Sequence, residues 1–298
     1  MRCRMLYTTA GRRVVVKIIL ATIATCFLTG SFGMPFKMRV IHAAASYPVP
    51  EAGQVSGGAY QNEYFGFRYP LPAGWEEDVQ GPPPSATAYY SLLALKPRDS
   101  LSATLLIAAQ DEFFAQEQSK DAMDFLAQMK EHLDPSLESG QTIPLDIAGQ
   151  SFAKLDYLGA GLRHAVFATE VRCHILIFSV TSSHPEQIET VAASLNRMTF
   201  AKGQSSRWPI CVPAYATPDH LVHRVEPAPA GPRFSGVPTR IVIGSDGKVE
   251  QVHPIGGLAE QDTNIREALT QWKFKPYELN GKRVAVETGL VVRFAGTQ

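Results

Sequence analysis

Residues 239–252 read Thr-Arg-Ile-Val-Ile-Gly-Ser-Asp-Gly-Lys-Val-Glu-Gln-Val, and residues 267–276 read Glu-Ala-Leu-Thr-Gln-Trp-Lys-Phe-Lys-Pro. The first stretch predicts a hairpin: Thr239 to Ile243 is a β-branched run, Ser245-Asp246-Gly247-Lys248 is a tight turn whose Asp-Gly pair tolerates positive φ, and Val249 to Val252 returns. The second carries the end of a helix. Asp262 is expected to cap it, with Ile265, Ala268, Leu269 and Trp272 on one buried face at helical spacing. Lys273-Phe274-Lys275-Pro276 leaves the helix, and Asn280-Gly281 makes a second hairpin turn. In the closing strand Val284, Val286, Thr288, Leu290, Val292 and Phe294 share one face, while Ala285, Glu287, Gly289, Val291 and Arg293 share the other. The whole pattern predicts one helix on one face of an antiparallel sheet.

These motifs, Ile-Gly-Ser-Asp-Gly-Lys-Val at 243–249, Glu-Ala-Leu-Thr-Gln-Trp-Lys-Phe-Lys-Pro at 267–276 and Asn-Gly-Lys-Arg-Val at 280–284, resemble the TonB C-terminal domain family over roughly residues 222–295. The resemblance implies a periplasmic module that recruits a short segment of an outer-membrane transporter by adding a strand to a sheet edge. An exposed edge offers unpaired N–H and C=O groups that a docked peptide satisfies. If the last strand is the open edge, the partner-binding residues are Glu287, Gly289, Val291 and Arg293. The family-motif residues Asp246, Gly247, Trp272, Phe274, Pro276, Asn280 and Gly281 are expected to be structural. Two departures count against an energy transducer: residues 14–36 contain no His, and a folded segment stands where a long Pro-rich spacer would follow an anchor.

Upstream, six prolines between Ala201 and Gly236 (209, 213, 218, 227, 229 and 232) mark a stiff linker, assigned to 201–221, before a C-terminal domain at 222–298. Residues 60–200 read as a separate α+β domain. Tyr64 to Pro70 alternates as a strand, Ala88–Leu95 and Ala103–Ala109 are two more, and 119–133 is an amphipathic helix with Ala122, Phe125, Leu126, Met129 and Leu133 on one face. Strand patterns return from Gln141 to Val180. A last helix follows, with Ser183 as cap, Glu186 completing a capping box, and Ile188, Val191, Ala192, Leu195 and Met198 as its stripe. The motif Tyr-Phe-Gly-Phe-Arg-Tyr-Pro-Leu-Pro-Ala-Gly-Trp at 64–75, with this order of elements, resembles the PsbP and Mog1 type of α/β/α sandwich. That resemblance implies an antiparallel sheet between helices and a binding role without chemistry.

Residues 1–45 have the parts of an export leader: Arg12-Arg13, an apolar run from Val14, and Ala43-Ala44-Ala45 where a peptidase would cut. Uncleaved, residues 14–36 offer about 23 largely apolar positions, enough for an inner-membrane anchor. Either outcome puts the folded part in the periplasm. Cys3 and Cys26 lie in this leader, leaving Cys173 and Cys211. An oxidising compartment permits these two to pair, but in the apolar run Val171 to Val180 a lone Cys is usually a small buried hydrophobe, and that is the reading expected for Cys173.

The chain of 298 residues carries 28 bases and 28 acids, but they are segregated: +7 over 1–45, −10 over 46–200 and +3 over 201–298. At 45% hydrophobic and 19% charged it can bury a core. No basic run outside the leader suits nucleic acid. Asp219, His220 and His223 have possible metal spacing without an evident third ligand, and Glu76-Glu77-Asp78 reads as a solvated loop. No cofactor fingerprint or nucleophile motif occurs. The expectation is a non-enzymatic envelope interaction protein with no cofactor, binding a protein or peptide partner such as an outer-membrane transporter. The alternatives are a TonB-type transducer or its accessory, and a metal-dependent hydrolase.

Overall fold

Short strands joined by glycine turns open the described chain. β1 (Gln54–Ser56) and β2 (Ala59–Asn62) meet at Gly57-Gly58, where both φ angles are positive. A turn at 63–66 leads into β3 (Phe67–Pro70). The strand expected from Tyr64 therefore starts three residues later. Asn62 Oδ1 accepts the Phe65 N–H at 3.0 Å and folds Tyr64 and Phe65 inward, so both are buried although neither lies in a strand. The computed structural model describes residues 47–78, 84–85, 87–99, 102–201, 208–230 and 236–294. The expectations on the leader, with its apolar run, Cys3 and Cys26, lie outside them.

The central sheet is built from β4 (Trp75–Glu77), β5 (Tyr89–Pro97), β6 (Ala103–Asp111), then α1 (Ala122–Glu131), β7 (Glu138–Ser139), β8 (Ile143–Ile147), β9 (Gln150–Gly159), β10 (Leu162–Val171) and β11 (His174–Ser182). Its order is β4-β5-β6-β11-β10-β9, with β7 and β8 both pairing with β9. α2 (Pro185–Leu195) and β12 (Thr199–Phe200) complete this part, β12 joining the small sheet β1-β2-β3-β12. Period-two alternation places one face of the sheet under each helix. Ile175 and Ile177 pack with Leu126 of α1, while Leu176, Phe178 and Val180 pack with Val191 and Leu195 of α2 and the aromatics of the small sheet. Each such fully buried side chain contributes about 1.5–3 kcal/mol.

The cap of α2 differs from expectation. α2 starts at Pro185 with His184 at its N-cap and no side-chain cap. Ser183 is instead held by the still-paired end of β11, its N–H and hydroxyl both directed to the Ser102 carbonyl at 3.1 and 3.5 Å. Asp121 caps α1, accepting the Asp124 N–H at 2.9 Å.

The remaining elements are β13 (Ile210–Cys211), β14 (Leu221–His223), β15 (Val237–Ile243), β16 (Val249–Pro254), α3 (Ala259–Leu269), β17 (Lys273–Phe274), β18 (Tyr277–Leu279), β19 (Lys282–Val284) and β20 (Val286–Val292). The C-terminal sheet has the order β13-β20-β15-β16, and α3 covers one face through Ile265, Ala268 and Leu269. α3 begins earlier than the Asp262 cap would have it, because Gly256-Gly257 break the chain after β16 and Gln261 reaches back to the Leu258 N–H at 3.1 Å. Among the described residues every strand pair is antiparallel except β13 with β20. The fold is α+β, mostly antiparallel sheet with few helices, and the described residues lie within one compact unit.

Candidate functional site

β20 does not lie at the edge of its sheet. β15 pairs along one side over Val286 to Val292, and on the other side β13 pairs in parallel with Val286 and Glu287. The Ile210 and Val212 N–H groups donate to the Ala285 and Glu287 carbonyls, both at 2.9 Å. Farther along, the Tyr215 N–H reaches Thr288 Oγ1 at 3.3 Å, and that hydroxyl donates to the Pro213 carbonyl at 3.4 Å. The segment read as a free linker thus supplies the neighbouring strand. Its prolines restrict it to extended backbone, which is what a sheet edge accepts.

Of the four residues expected on one face of β20, Glu287, Gly289 and Val291 share it and Arg293 follows the strand's end, and that face is turned toward the N-terminal sheets at Glu287 and Gly289. Glu287 is buried, and Gly289 lies so close to the aromatic pair after β6 that a Cβ there would be 2.7 Å from Phe113 Cδ2 and 2.8 Å from Phe114 Cζ. Val291 is 49% exposed and Arg293 is exposed. Glu287 and Gly289 are therefore contacts within the chain, and Val291 and Arg293 are the exposed residues of the four.

Around Glu287 the two halves of the chain share a buried polar cluster. Tyr64 donates to Glu287 Oε1 at 2.8 Å and Arg172 to Oε2 at 2.8 Å, while Arg240 Nη1 stands 3.2 Å from Oε1. Arg240 also grips Asp111 with two nitrogens, Nε to Oδ2 and Nη2 to Oδ1, and Asp111 accepts the Phe113 N–H at 2.8 Å. Burial pushes the Glu287 carboxyl upward, but Arg240 and Arg172 outweigh it and hold it below its usual value. His174 is driven well below its usual value by burial and then by Arg240, so it is neutral. Its Nδ1–H donates to the Arg172 carbonyl at 2.8 Å, which leaves Nε2 3.7 Å from Asp111 as a contact without charge. Burial raises the Tyr64 hydroxyl far above its ordinary value, so it stays protonated, donating to Glu287 and accepting from Arg240 Nη1 at 3.1 Å. Arg172 and Arg240 offset Asp111 and Glu287, and each cation also faces rings: Arg172 is 4.6 Å from Tyr64 and 4.5 Å from Trp208, and Arg240 is 4.3 Å from Phe113.

The segregated charge of the sequence suggests an acidic half drawn to a basic one. The contacts run both ways instead: Asp111 with Arg240, but Arg172 with Glu287. Further ties lie nearby. Tyr47 and the Gln251 amide exchange hydrogen bonds of 2.7 and 3.0 Å, and His253 sits 3.1 Å from Glu51. Ile255, just after β16, is buried in the N-terminal core.

Cys173 and Cys211 form a disulfide with Cα atoms 6.2 Å apart. Cys173 is not the strand hydrophobe that its apolar run suggests. It sits beside Arg172 in the two-residue turn between β10 and β11, both residues with φ near +50° (52° and 54°). The bond joins the tip of that hairpin to β13 and so to the C-terminal sheet.

The motif residues hold the C-terminal sheet together. Gly247 (φ 83°) has its carbonyl accepting the Phe274 N–H at 2.7 Å, and a Cβ on it would lie 2.1 Å from the Phe274 carbonyl oxygen. Asp246 accepts the Lys248 N–H at 3.0 Å and pairs with its ammonium at 2.8 Å, which lowers the exposed carboxyl. Trp272 Nε1 donates to the Val225 carbonyl at 2.7 Å, Phe274 is buried in β17 against β14, and partly buried Pro276 follows. Asn280 and Gly281, with φ of 52° and 74°, turn β18 into β19.

His220 stacks on Tyr215 at 4.4 Å with Nδ1 near the Tyr215 carbonyl, and His223 is exposed on β14. Asp219 is exposed, Glu76 lies 3.9 Å from Arg98, and Asp78 pairs with Lys96 at 3.0 Å, so the acidic run is tied to β5. Among the described residues no group of three His, Cys, Asp or Glu converges as a metal site, and no helix is long and apolar enough to cross a membrane. The sequence reading missed Tyr64, Asp111, Arg172, His174 and Arg240. A usable signal was present in two of them: Asp111 and Arg240 each sit in an otherwise apolar strand with no local partner.

No family model and no curated protein matches the chain, so the TonB resemblance rests on its motifs alone. Among solved structures, the chain is similar to the solution structure of cyanobacterial PsbP (CyanoP) from Synechocystis sp. PCC 6803, with 16% identity, coverage of 50% of this chain and 99% of that one, and a TM-score of 0.34. At that score the likeness carries no functional argument.

Proposed function

We propose that the chain is an exported, non-enzymatic interaction protein of the cell envelope, whose TonB-like C-terminal module takes an extended peptide of a partner, such as an outer-membrane transporter, at the β20 edge. The observation that carries this reading is the β13–β20 pairing. Here an extended, proline-flanked peptide is held by backbone hydrogen bonds to Ala285 and Glu287, which is the chemistry that strand addition requires. In this chain the occupant is the chain's own segment, so a partner strand has to take its place. Export is supported by the leader composition and by the Cys173–Cys211 bond, since such bonds persist in oxidising compartments. The inward-facing Glu287 and Gly289 then position the edge, and Val291 and Arg293 are the residues of that face left for a partner. Titrating transporter-derived peptides into the full chain while following the amide resonances of residues 284–294 tests this. Shifts confined to that strand and to residues 208–215 are expected, and silence with every peptide, both with the Cys173–Cys211 bond intact and after its reduction, sinks the reading.

A further inference from the structure

Building on that strand-addition reading, we propose that the Cys173–Cys211 disulfide is a redox-operated catch that holds residues 208–213 on the β20 edge, and that its reduction frees the edge for a partner. Only Ile210 and Cys211 pair as a strand, and the segment gives two backbone donors to β20. A two-residue strand has too little pairing to hold on its own. Pro209 and Pro213 flank it and donate nothing. Its other ties are Trp208 against Arg172 and Tyr47, Val212 against the C-terminal core, the Tyr215 and Pro213 contacts with Thr288, and the disulfide.

The two halves of the catch differ in how firmly they are held. Cys173 is fixed by the β10–β11 ladder, which pairs residue by residue from Arg163–Ser182 to Val171–His174, and by the cluster around Arg172. Cys211 lies in the two-residue strand, anchored beside it by Val212, which packs against the C-terminal core. Both cysteines are partly exposed, whereas the adjacent His174 is buried, so a reductant can reach the bond. The reductant is a dithiol, as in a dithiol oxidoreductase. Its thiolate attacks one sulfur to give a mixed disulfide, and its second thiol displaces that sulfur. Two electrons and two protons pass to Cys173 and Cys211, which leave as thiols, and the dithiol leaves as a disulfide. The Glu287 contacts with Tyr64, Arg172 and Arg240 involve none of residues 209–213, so the interface stays closed while the edge opens.

Amide hydrogen exchange on the full chain, oxidised and after complete reduction by dithiothreitol with both thiols counted, reads the catch directly. The Ile210 and Val212 amides are expected to lose protection roughly tenfold or more, while those of Ile241 in β15 and Phe178 in β11 change far less. The double variant Cys173→Ser/Cys211→Ser should behave as the reduced chain does. Unchanged protection at Ile210 and Val212 after full reduction overturns the proposal, as does an equal loss at Ile241 and Phe178, which means unfolding. A synthetic peptide of residues 208–214 with serine at 211 separates the two readings. Binding to the reduced chain alone supports both. Equal binding to the oxidised chain overturns the catch. An edge that opens yet takes no peptide leaves the catch standing and counts against strand addition.

Discussion

Arg240 on β15 and Asp111 at the end of β6 stand 129 positions apart in the chain and meet in a two-pronged ion pair whose side chains are 2% and 0% exposed. Such a pair is costly to bury, and breaking it is costlier, because the survivor keeps its charge without its partner. Asp111→Ala is therefore expected to lower stability by about 3–5 kcal/mol in urea unfolding. The double change Asp111→Leu/Arg240→Met should lose less than either single change. A double variant as damaged as the sum of the two singles would show that the pair does not act as a unit.

Gly289 is the point of closest approach between β20 and the aromatic pair Phe113 and Phe114. Gly289→Val should cost about 1–3 kcal/mol by overpacking. Phe113→Ala placed in the same chain should recover part of that loss, which thermal unfolding of the three variants measures. A Gly289→Val protein as stable as the parent would mean that the two halves are not packed here.

Gly247 and Gly281 both have positive φ, yet they predict different outcomes. At Gly281 nothing lies within 4 Å of an added Cβ, so Gly281→Ala pays only the left-handed penalty of about 1 kcal/mol. At Gly247 the same methyl meets the Phe274 carbonyl, and Gly247→Ala should cost clearly more, about 2–4 kcal/mol. Equal losses would contradict the contact between this turn and β17.

Acid should weaken the protein over two pH ranges. His174 is held neutral well below its usual value, so its contribution is present above about pH 6.5, the unfolded value, and is lost as pH falls toward the folded one. Glu287 is also lowered, so its contribution is present above about pH 4.3 and fades below that. His174 is packed edge-on against Tyr64 and Phe65, so His174→Phe keeps the packing. Below about pH 6.5 it should flatten the stability curve, whose parent slope from this one proton is at most about 1.4 kcal/mol per pH unit. An unchanged slope in the variant would exclude His174 as its source.

Sequence patterning by itself determined the local elements. The alternation in β20, the Asp-Gly and Asn-Gly turns, the stripe of Ile265, Ala268, Leu269 and Trp272, and the strand runs of β5, β6 and β11 are all fixed by spacing, because period two and period 3.6 are properties of neighbouring residues. Even the sharing of one face by Glu287 and Gly289 was legible. What lay against that face was not. Whether β20 was an edge depended on where Ile210 and Cys211 came to rest, and whether Cys173 was a core residue or a crosslink depended on which turn faced that strand. Asp111, Tyr64, Arg240 and the Arg172–His174 turn come from four separate stretches, and nothing in the spacing along a chain encodes the meeting of side chains so far apart in it. Only the tertiary structure decided that a strand read as an open docking edge is flanked on both sides, because pairing and burial are set by distance in space, while the sequence records distance along the backbone.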